Sequence, residues 1–217
     1  MELYLDTANL AQIKEMVELG VISGVTTNPT LVAAEKNANY EKVIKEICVV
    51  VSGPVSVEVT EEDAVSMERQ AIEFSKWSSN IVVKMPITYN GLRAMHSATK
   101  QGAKINATLC FSINQALLAV KAGATYVSPF VGRLDDIGQN GMALVYDLVN
   151  IFEHYGFGTK VIAASIRHPM HVEQAAKLGA HIATVPYAIL KQMIQHPLTD
   201  SGLAKFLSDW RDVANKK

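Results

Sequence analysis

The sequence predicts an α/β fold, a closed (β/α)8 (TIM) barrel followed by one extra C-terminal helix. Three observations carry this. Short β-rich runs alternate with longer segments of helical spacing eight times along the 217 residues. The runs are mostly apolar without clean alternation, the pattern of parallel strands covered by helices. Polar residues cluster where those runs end, and a barrel carries its chemistry at the C-terminal ends of its strands.

The elements read in order as follows. A first strand over Glu2–Leu5 leads to a helix over Leu10–Leu19, and Ile22–Val25 leads to a helix over roughly Tyr40–Val51. Val55–Val59 precedes Ala64–Trp77, and Ile81–Lys84, an Ile-Val-Val run, precedes Gly91–Gln101. Lys104–Thr108 is followed by Ile113–Ala122, and Tyr126–Ser128 by a helix across Met142–His154. Lys160–Ala164 and Met170–Leu178 form the seventh pair, His181–Val185 and Ala188–Gln195 the eighth. Leu203–Val213 keeps helical spacing outside the eight pairs, within a tail helix of about 199–214. An open, doubly wound sheet is the competing reading. It is weakened because no Gly-rich dinucleotide loop follows the first strand and no P-loop occurs.

Composition narrows the function. At 49% hydrophobic and 19% charged, the chain suits a globular domain with a substantial core, and its length favours one domain over residues 1–217. Twenty basic against twenty-one acidic residues give a net charge of −1, which leaves no general footprint for nucleic acid. A local basic pocket for a small anion stays open. Cys48 and Cys110 form no disulfide framework, and two reduced thiols suit a cytoplasmic protein. MELYLDTANL lacks the pattern of a signal peptide, and no apolar run reaches the roughly 18 residues of a membrane span.

On a barrel, the polar residues fall together at one end. The first strand ends in Asp6, and the second runs into Thr26-Thr27-Asn28-Pro29. Glu58 lies between Val57 and Val59, and Lys84 between Val83 and Met85. Asn106 and Thr108 mark the fifth strand, Ser128-Pro129-Phe130 with Arg133 the sixth, Ser165 and Arg167 the seventh. An ammonium ending an apolar run is costly to desolvate. A neutral amine in a barrel mouth is what Schiff-base chemistry with a ketone needs. A lysine that snorkels or pairs with Glu58 would leave the same pattern. Asp6 and Glu58 are candidates for proton transfer, or alternatively ion-pair partners for Lys84 or Arg167. Arg133, Ser165 and Arg167 offer the bidentate and hydroxyl donors of a phosphate site, or else two surface arginines lie close by chance. His168 and His171, three apart with no third ligand, make a weak metal signal and read as surface residues or supports of the site. No metal site is expected.

These residues resemble the transaldolase family. GVTTNPTLV (Gly24–Val32) is similar to its first signature, and VKMPIT (Val83–Thr88) with Gly91-Leu92 to its second, which holds the Schiff-base lysine. NATLCFS (Asn106–Ser112), SPFVGR (Ser128–Arg133) and ASIR (Ala164–Arg167) follow the same family pattern. The resemblance runs from Leu3 to about Arg211 and its length suits the small-subunit branch, which includes fructose 6-phosphate aldolases. It implies that Lys84 forms an imine with the ketose C2, that Asp6 takes the C4 hydroxyl proton, and that Glu58 relays protons through a water held with Thr108. It implies that Asn28 and Asn106 hold the hydroxyls of the three-carbon fragment, that Ser128 and Phe130 line the same substrate pocket, and that Arg133, Ser165 and Arg167 bind phosphate. Phe130 and Glu58 stand where the branch's aldolases typically have tyrosine and glutamine, which favours transfer over release. The implied activity is a transaldolase of the pentose shunt moving a dihydroxyacetone unit from sedoheptulose 7-phosphate or fructose 6-phosphate to an aldose phosphate. The alternative is a fructose 6-phosphate aldolase. The resemblance further implies no cofactor, sugar phosphates as the small-molecule partners, and a homo-oligomer, a pentamer or decamer.

Overall fold

A computed structural model describes residues 1–35 and 39–214. Among them the chain alternates strand and helix in the order β1 (Glu2–Asp6), α1 (Leu10–Glu18), β2 (Gly24–Thr26), α2 (Pro29–Ala33), α3 (Tyr40–Val50), β3 (Val55–Glu58), α4 (Ala64–Ser75), β4 (Ile81–Pro86) and α5 (Tyr89–Lys100). It continues with β5 (Ile105–Cys110), α6 (Ile113–Lys121), β6 (Tyr126–Pro129), α7 (Val131–Asp136), α8 (Gly141–His154), β7 (Lys160–Ala163), α9 (Pro169–Lys177), β8 (Ile182–Pro186), α10 (Tyr187–Ile194) and α11 (Pro197–Ala214). Every strand pairs in parallel with its sequence neighbours, and β1 pairs with β8, so the sheet closes into the predicted barrel.

Local sequence marks where several of the helices start. Asn9, Asn28, Thr88, Ser112 and Asn140 each sit at a helix start and accept a hydrogen bond from a backbone N–H of the first turn. Asp63 accepts two. Asn28 is followed by Pro29, whose ring presets the first helical φ. Asn28 is thus both a polar residue at a strand end and the start signal of the helix that follows.

Alternation within the strands sorts the core. Leu5, Val25, Val57, Val83, Ala107, Val127 and Val185 face outward and join the layer between sheet and helices. The residues between them face the barrel axis. The closed end of that interior is a small cluster of Tyr4, Ile162 and Ile182 packed with Tyr126. A Cβ at Gly24 would lie 2.8 Å from the Tyr4 ring and 2.7 Å from the Pro54 carbonyl, so β2 passes this plug only as glycine. Above the plug most axis-facing residues are polar.

The eight strand–helix pairs stand where the sequence places them, with boundary shifts of a residue or two. Two differences are larger. Neither α2 nor α7 is legible as a helix: the first is five residues long, and the second contains Gly132, a poor helix former. Gly132 is needed there because a Cβ would lie 2.3 Å from the Ser165 carbonyl. The last helix starts at Pro197, ahead of the expected 199 and Leu203, since proline suits a first turn. None of its residues is buried. No described helix is long and apolar enough to cross a membrane.

Candidate active site

Lys84 occupies the centre of the open end. Its side chain is only 7% exposed, and the ammonium nitrogen lies 3.3 Å from Glu58 Oε2. It also donates to the Thr27 carbonyl at 3.2 Å. The register explains the neighbourhood: Glu58 pairs with Lys84 across β3 and β4, and Lys84 with Asn106 across β4 and β5.

Asp6 approaches the same amine from β1. Burial pushes its carboxyl above the usual range, while the Lys84 charge and a Thr26 hydrogen bond pull it back. The Thr26 hydroxyl donates to Asp6 Oδ1 at 2.7 Å and meets the Thr184 hydroxyl at 2.5 Å. A hydroxyl has one proton to give, so with Thr26 donating to Asp6, Thr184 donates to Thr26. On the far side, Asn106 accepts from Ser128 at 2.7 Å and donates to the Ser56 hydroxyl at 3.4 Å.

Two cavities meet at Lys84. One, about 230 Å³, is lined by Asp6, Thr26, Asn106, Ser128, Ser165, Arg167 and Thr184. The other, about 380 Å³, is lined by Glu58, Thr30 and Leu109. Asn28, Lys84, Phe130 and Arg133 line both. The amine therefore has one carboxylate in each cavity. Asn28 uses its side-chain oxygen to cap α2, at 2.9 Å from the Leu31 N–H, which leaves its NH2 group as a donor.

Thr108 lines neither cavity. Its hydroxyl is fully buried and without a hydrogen-bond partner among the described residues. Buried hydroxyls are almost always satisfied, so this atom marks a place for a further polar group. The strand is irregular beside it: the β5–β6 register shifts between Ala107 and Cys110, and Leu109 has φ +57°.

The rim is cationic. The Arg133 guanidinium lies 5.2 Å from the Phe130 ring centre, and Phe130 stands edge-on to Phe111 at 5.9 Å. Ser165 holds a left-handed φ of +60°, a conformation rare outside glycine, and its carbonyl accepts from Gly132 at 3.0 Å. Arg167 is paired with Asp136 at 2.8 Å. Its backbone N–H donates to His171 Nδ1 at 3.3 Å, and His171 Nε2 lies 3.0 Å from Asp135 Oδ2. Burial and the neighbouring His168 hold the His171 pKa down, in keeping with a neutral ring that accepts at one nitrogen and donates at the other. His171 is thus a support that ties the Arg167 loop to α7, while His168 is exposed.

The structure gathers Asp6, Asn28, Glu58, Lys84, Asn106, Ser128, Phe130, Arg133, Ser165 and Arg167 around one opening, with Thr108 buried outside it. Sequence reasoning missed Thr184 and Ser56. Both sit at axis-facing positions of apolar strands, so strict period-two counting from a strand end would have found them.

A family model described as Transaldolase/Fructose-6-phosphate aldolase matches residues 3–217. A protein of Dehalococcoides mccartyi named "Probable transaldolase" is 57% identical over 214 residues, covering 98% of this chain and 99% of its own. Proteins of the same name from Pelotomaculum thermopropionicum and Methanococcus maripaludis are 56% and 54% identical, each over the full length of both chains. Among solved structures, a thiamine phosphate pyrophosphorylase from Pyrococcus furiosus superposes with a TM-score of 0.58 at 16% identity, covering 85% of each chain. That last likeness speaks for the fold alone.

Proposed function

The chain belongs to the transaldolase/fructose-6-phosphate aldolase family and is an enzyme of the transaldolase type, and from that premise we propose that Lys84 carries the reaction as a Schiff-base nucleophile. The observation that supports this most is the buried amine set between two cavities, with Asp6 on one side and Glu58 on the other. The amine attacks C2 of a ketose phosphate, and loss of water gives a protonated imine. Asp6, as a carboxylate, takes the C4 hydroxyl proton. The C3–C4 bond then breaks, and its electrons pass into the imine as an enamine. An aldose phosphate departs and a second one accepts the three-carbon unit by the reverse steps. Glu58 serves the proton transfers of imine formation and hydrolysis through a water, for which the unpartnered Thr108 hydroxyl is a natural holder. Asn28, Asn106 and Ser128 hold the fragment's hydroxyls, and Arg133, Ser165 and Arg167 take the phosphate. The donor is sedoheptulose 7-phosphate or fructose 6-phosphate, which places the reaction in the pentose shunt.

A second reading, release of dihydroxyacetone, differs only in the fate of the enamine. Release needs an acid that protonates the enamine carbon. Phe130 presents a phenyl ring packed on Phe111 at the cavity wall and has no proton to give, which favours transfer. We further propose that the protein assembles as a homo-oligomer, a pentamer or decamer, through α11. Leu203, Phe206 and Trp210 on that helix are 57–70% exposed, a row of apolar surface that suits a neighbouring copy.

Borohydride reduction in the presence of fructose 6-phosphate tests the nucleophile: one three-carbon adduct is expected on Lys84. An unmodified protein would remove both catalytic readings. Following sedoheptulose 7-phosphate formation against free dihydroxyacetone separates the two, and faster release than transfer would favour the lyase.

A further inference from the structure

We infer that Tyr40 is the positioning residue for Glu58, fixing its backbone so that the carboxylate stands beside Lys84. The reason lies in the ladder of β3. In a parallel strand the N–H and C=O of one residue point to the same neighbour, and successive residues alternate sides. Ser56 and Glu58 point toward β2. Ser56 is served, since its carbonyl accepts the Thr27 N–H at 3.1 Å and the Thr27 hydroxyl at 2.8 Å. The next rung is missing, because the chain leaves β2 and enters α2 at Pro29. Glu58 would be left with a bare N–H and C=O on that side.

The Tyr40 phenol fills the gap. Its hydroxyl donates to the Glu58 carbonyl at 2.9 Å and accepts from the Glu58 N–H at 3.1 Å. One side-chain oxygen thus replaces a whole residue of strand. The ring itself is anchored, 5.9 Å from Phe74 and 6.1 Å from Trp77, which contact each other at 4.3 Å. Burial pushes the phenol pKa up to about 12, so it keeps the proton it donates. The Glu58–Lys84 side is held separately by the Val59 N–H on the Lys84 carbonyl at 3.0 Å. Glu58 is therefore clamped from both edges, by sheet on one and by the first residue of α3 on the other. Tyr40 lines neither cavity at Lys84, so it acts only through Glu58.

The inference rests on the Schiff-base reading and adds a residue to it. Tyr40→Phe keeps the aromatic packing and removes the hydroxyl. Its rate of borohydride-trapped imine formation is expected to fall about tenfold, a part of the 10²–10⁴ that a placed acid–base contributes. Release of the aldose phosphate from the preformed imine, which belongs to Asp6, is expected to change by less than about twofold. In a Glu58→Gln background, Tyr40→Phe is expected to add less than about a further twofold. Full-rate trapping by Tyr40→Phe, with the wild type trapping normally, overturns this inference alone. Equal losses in both backgrounds, or a Tyr40→Phe chain that does not fold, also overturn it, because Tyr40 would then act on the fold at large. A wild type that cannot be trapped removes the Schiff-base reading and this inference together.

Discussion

Arg167 gives the sharpest quantitative handle on the proposed phosphate site, because the structure supplies both its gain and its competitor. A charge-assisted hydrogen bond from a guanidinium to phosphate contributes roughly 1.5–3 kcal/mol. That guanidinium is engaged by Asp136 at 2.8 Å, with both side chains more than half exposed. An exposed pair of this kind contributes roughly 0.2–1 kcal/mol, which phosphate must displace or share. The difference centres near 1.5 kcal/mol, or about tenfold in affinity.

Arg167→Ala should therefore raise KM for fructose 6-phosphate and erythrose 4-phosphate about tenfold, with kcat changed much less. Asp136→Asn should act in the opposite direction. Freed of its competitor, Arg167 should bind phosphate up to about fivefold more tightly. The assay is a coupled measurement of transfer with the phosphorylated substrate varied, repeated with unphosphorylated glyceraldehyde as acceptor. Glyceraldehyde should be indifferent to both substitutions. An equal penalty for glyceraldehyde in Arg167→Ala would refute a phosphate role. A weaker affinity in Asp136→Asn would show that Asp136 orients Arg167 rather than competing for it.

Other expectations follow from the same geometry. Lys84→Met should abolish both turnover and trapping, whereas Asp6→Ala should still trap substrate and cleave it slowly; near-normal turnover in the first would show that another group is the nucleophile. Burial raises the Asp6 pKa, so its ionisation is costlier in the fold than in the unfolded chain, where the ordinary value is 3.8. That cost is absent below 3.8 and grows as pH rises toward the folded value, so Asp6→Asn should melt above wild type at pH 7, with the gap closing on acidification to about pH 3–4; a pH-independent gap would contradict this. Phe130→Tyr should raise dihydroxyacetone release relative to transfer by placing a hydroxyl at the cavity wall, and an unchanged ratio would clear Phe130 of any part in it. Truncation after Gly202 should reduce the assembled mass in light scattering, and an unchanged mass would place the interface elsewhere.

What the sequence made legible divides along physical lines. The strand–helix alternation and the polar strand ends are one-dimensional signals, because a parallel barrel imposes the same unit eight times and puts chemistry at the same end of each. Lys84, Glu58 and Asp6 stood out because charge in an apolar run needs a reason. Thr184 and Ser56 did not, since a hydroxyl in a strand is ordinary until alternation places it on the axis. The left-handed backbone at Leu109 and Ser165 left no mark either, because neither is glycine; tertiary packing holds them there.

Tyr40 belongs to a third class. As the first residue of α3, it reads in sequence as an aromatic on the inner face of a helix, and its ring does pack that way against Phe74 and Trp77. Its hydroxyl matters only because β2 stops one rung short of Glu58, and that shortfall follows from Asn28 and Pro29 starting α2. The early helix also brings Asn28 to both cavities. The turn that delivers a cavity-lining side chain from β2 therefore takes away the backbone partner of a second one on β3, and a side chain from the next helix restores it. No single position in the sequence carries that exchange; it exists only between three elements at the mouth of a closed barrel.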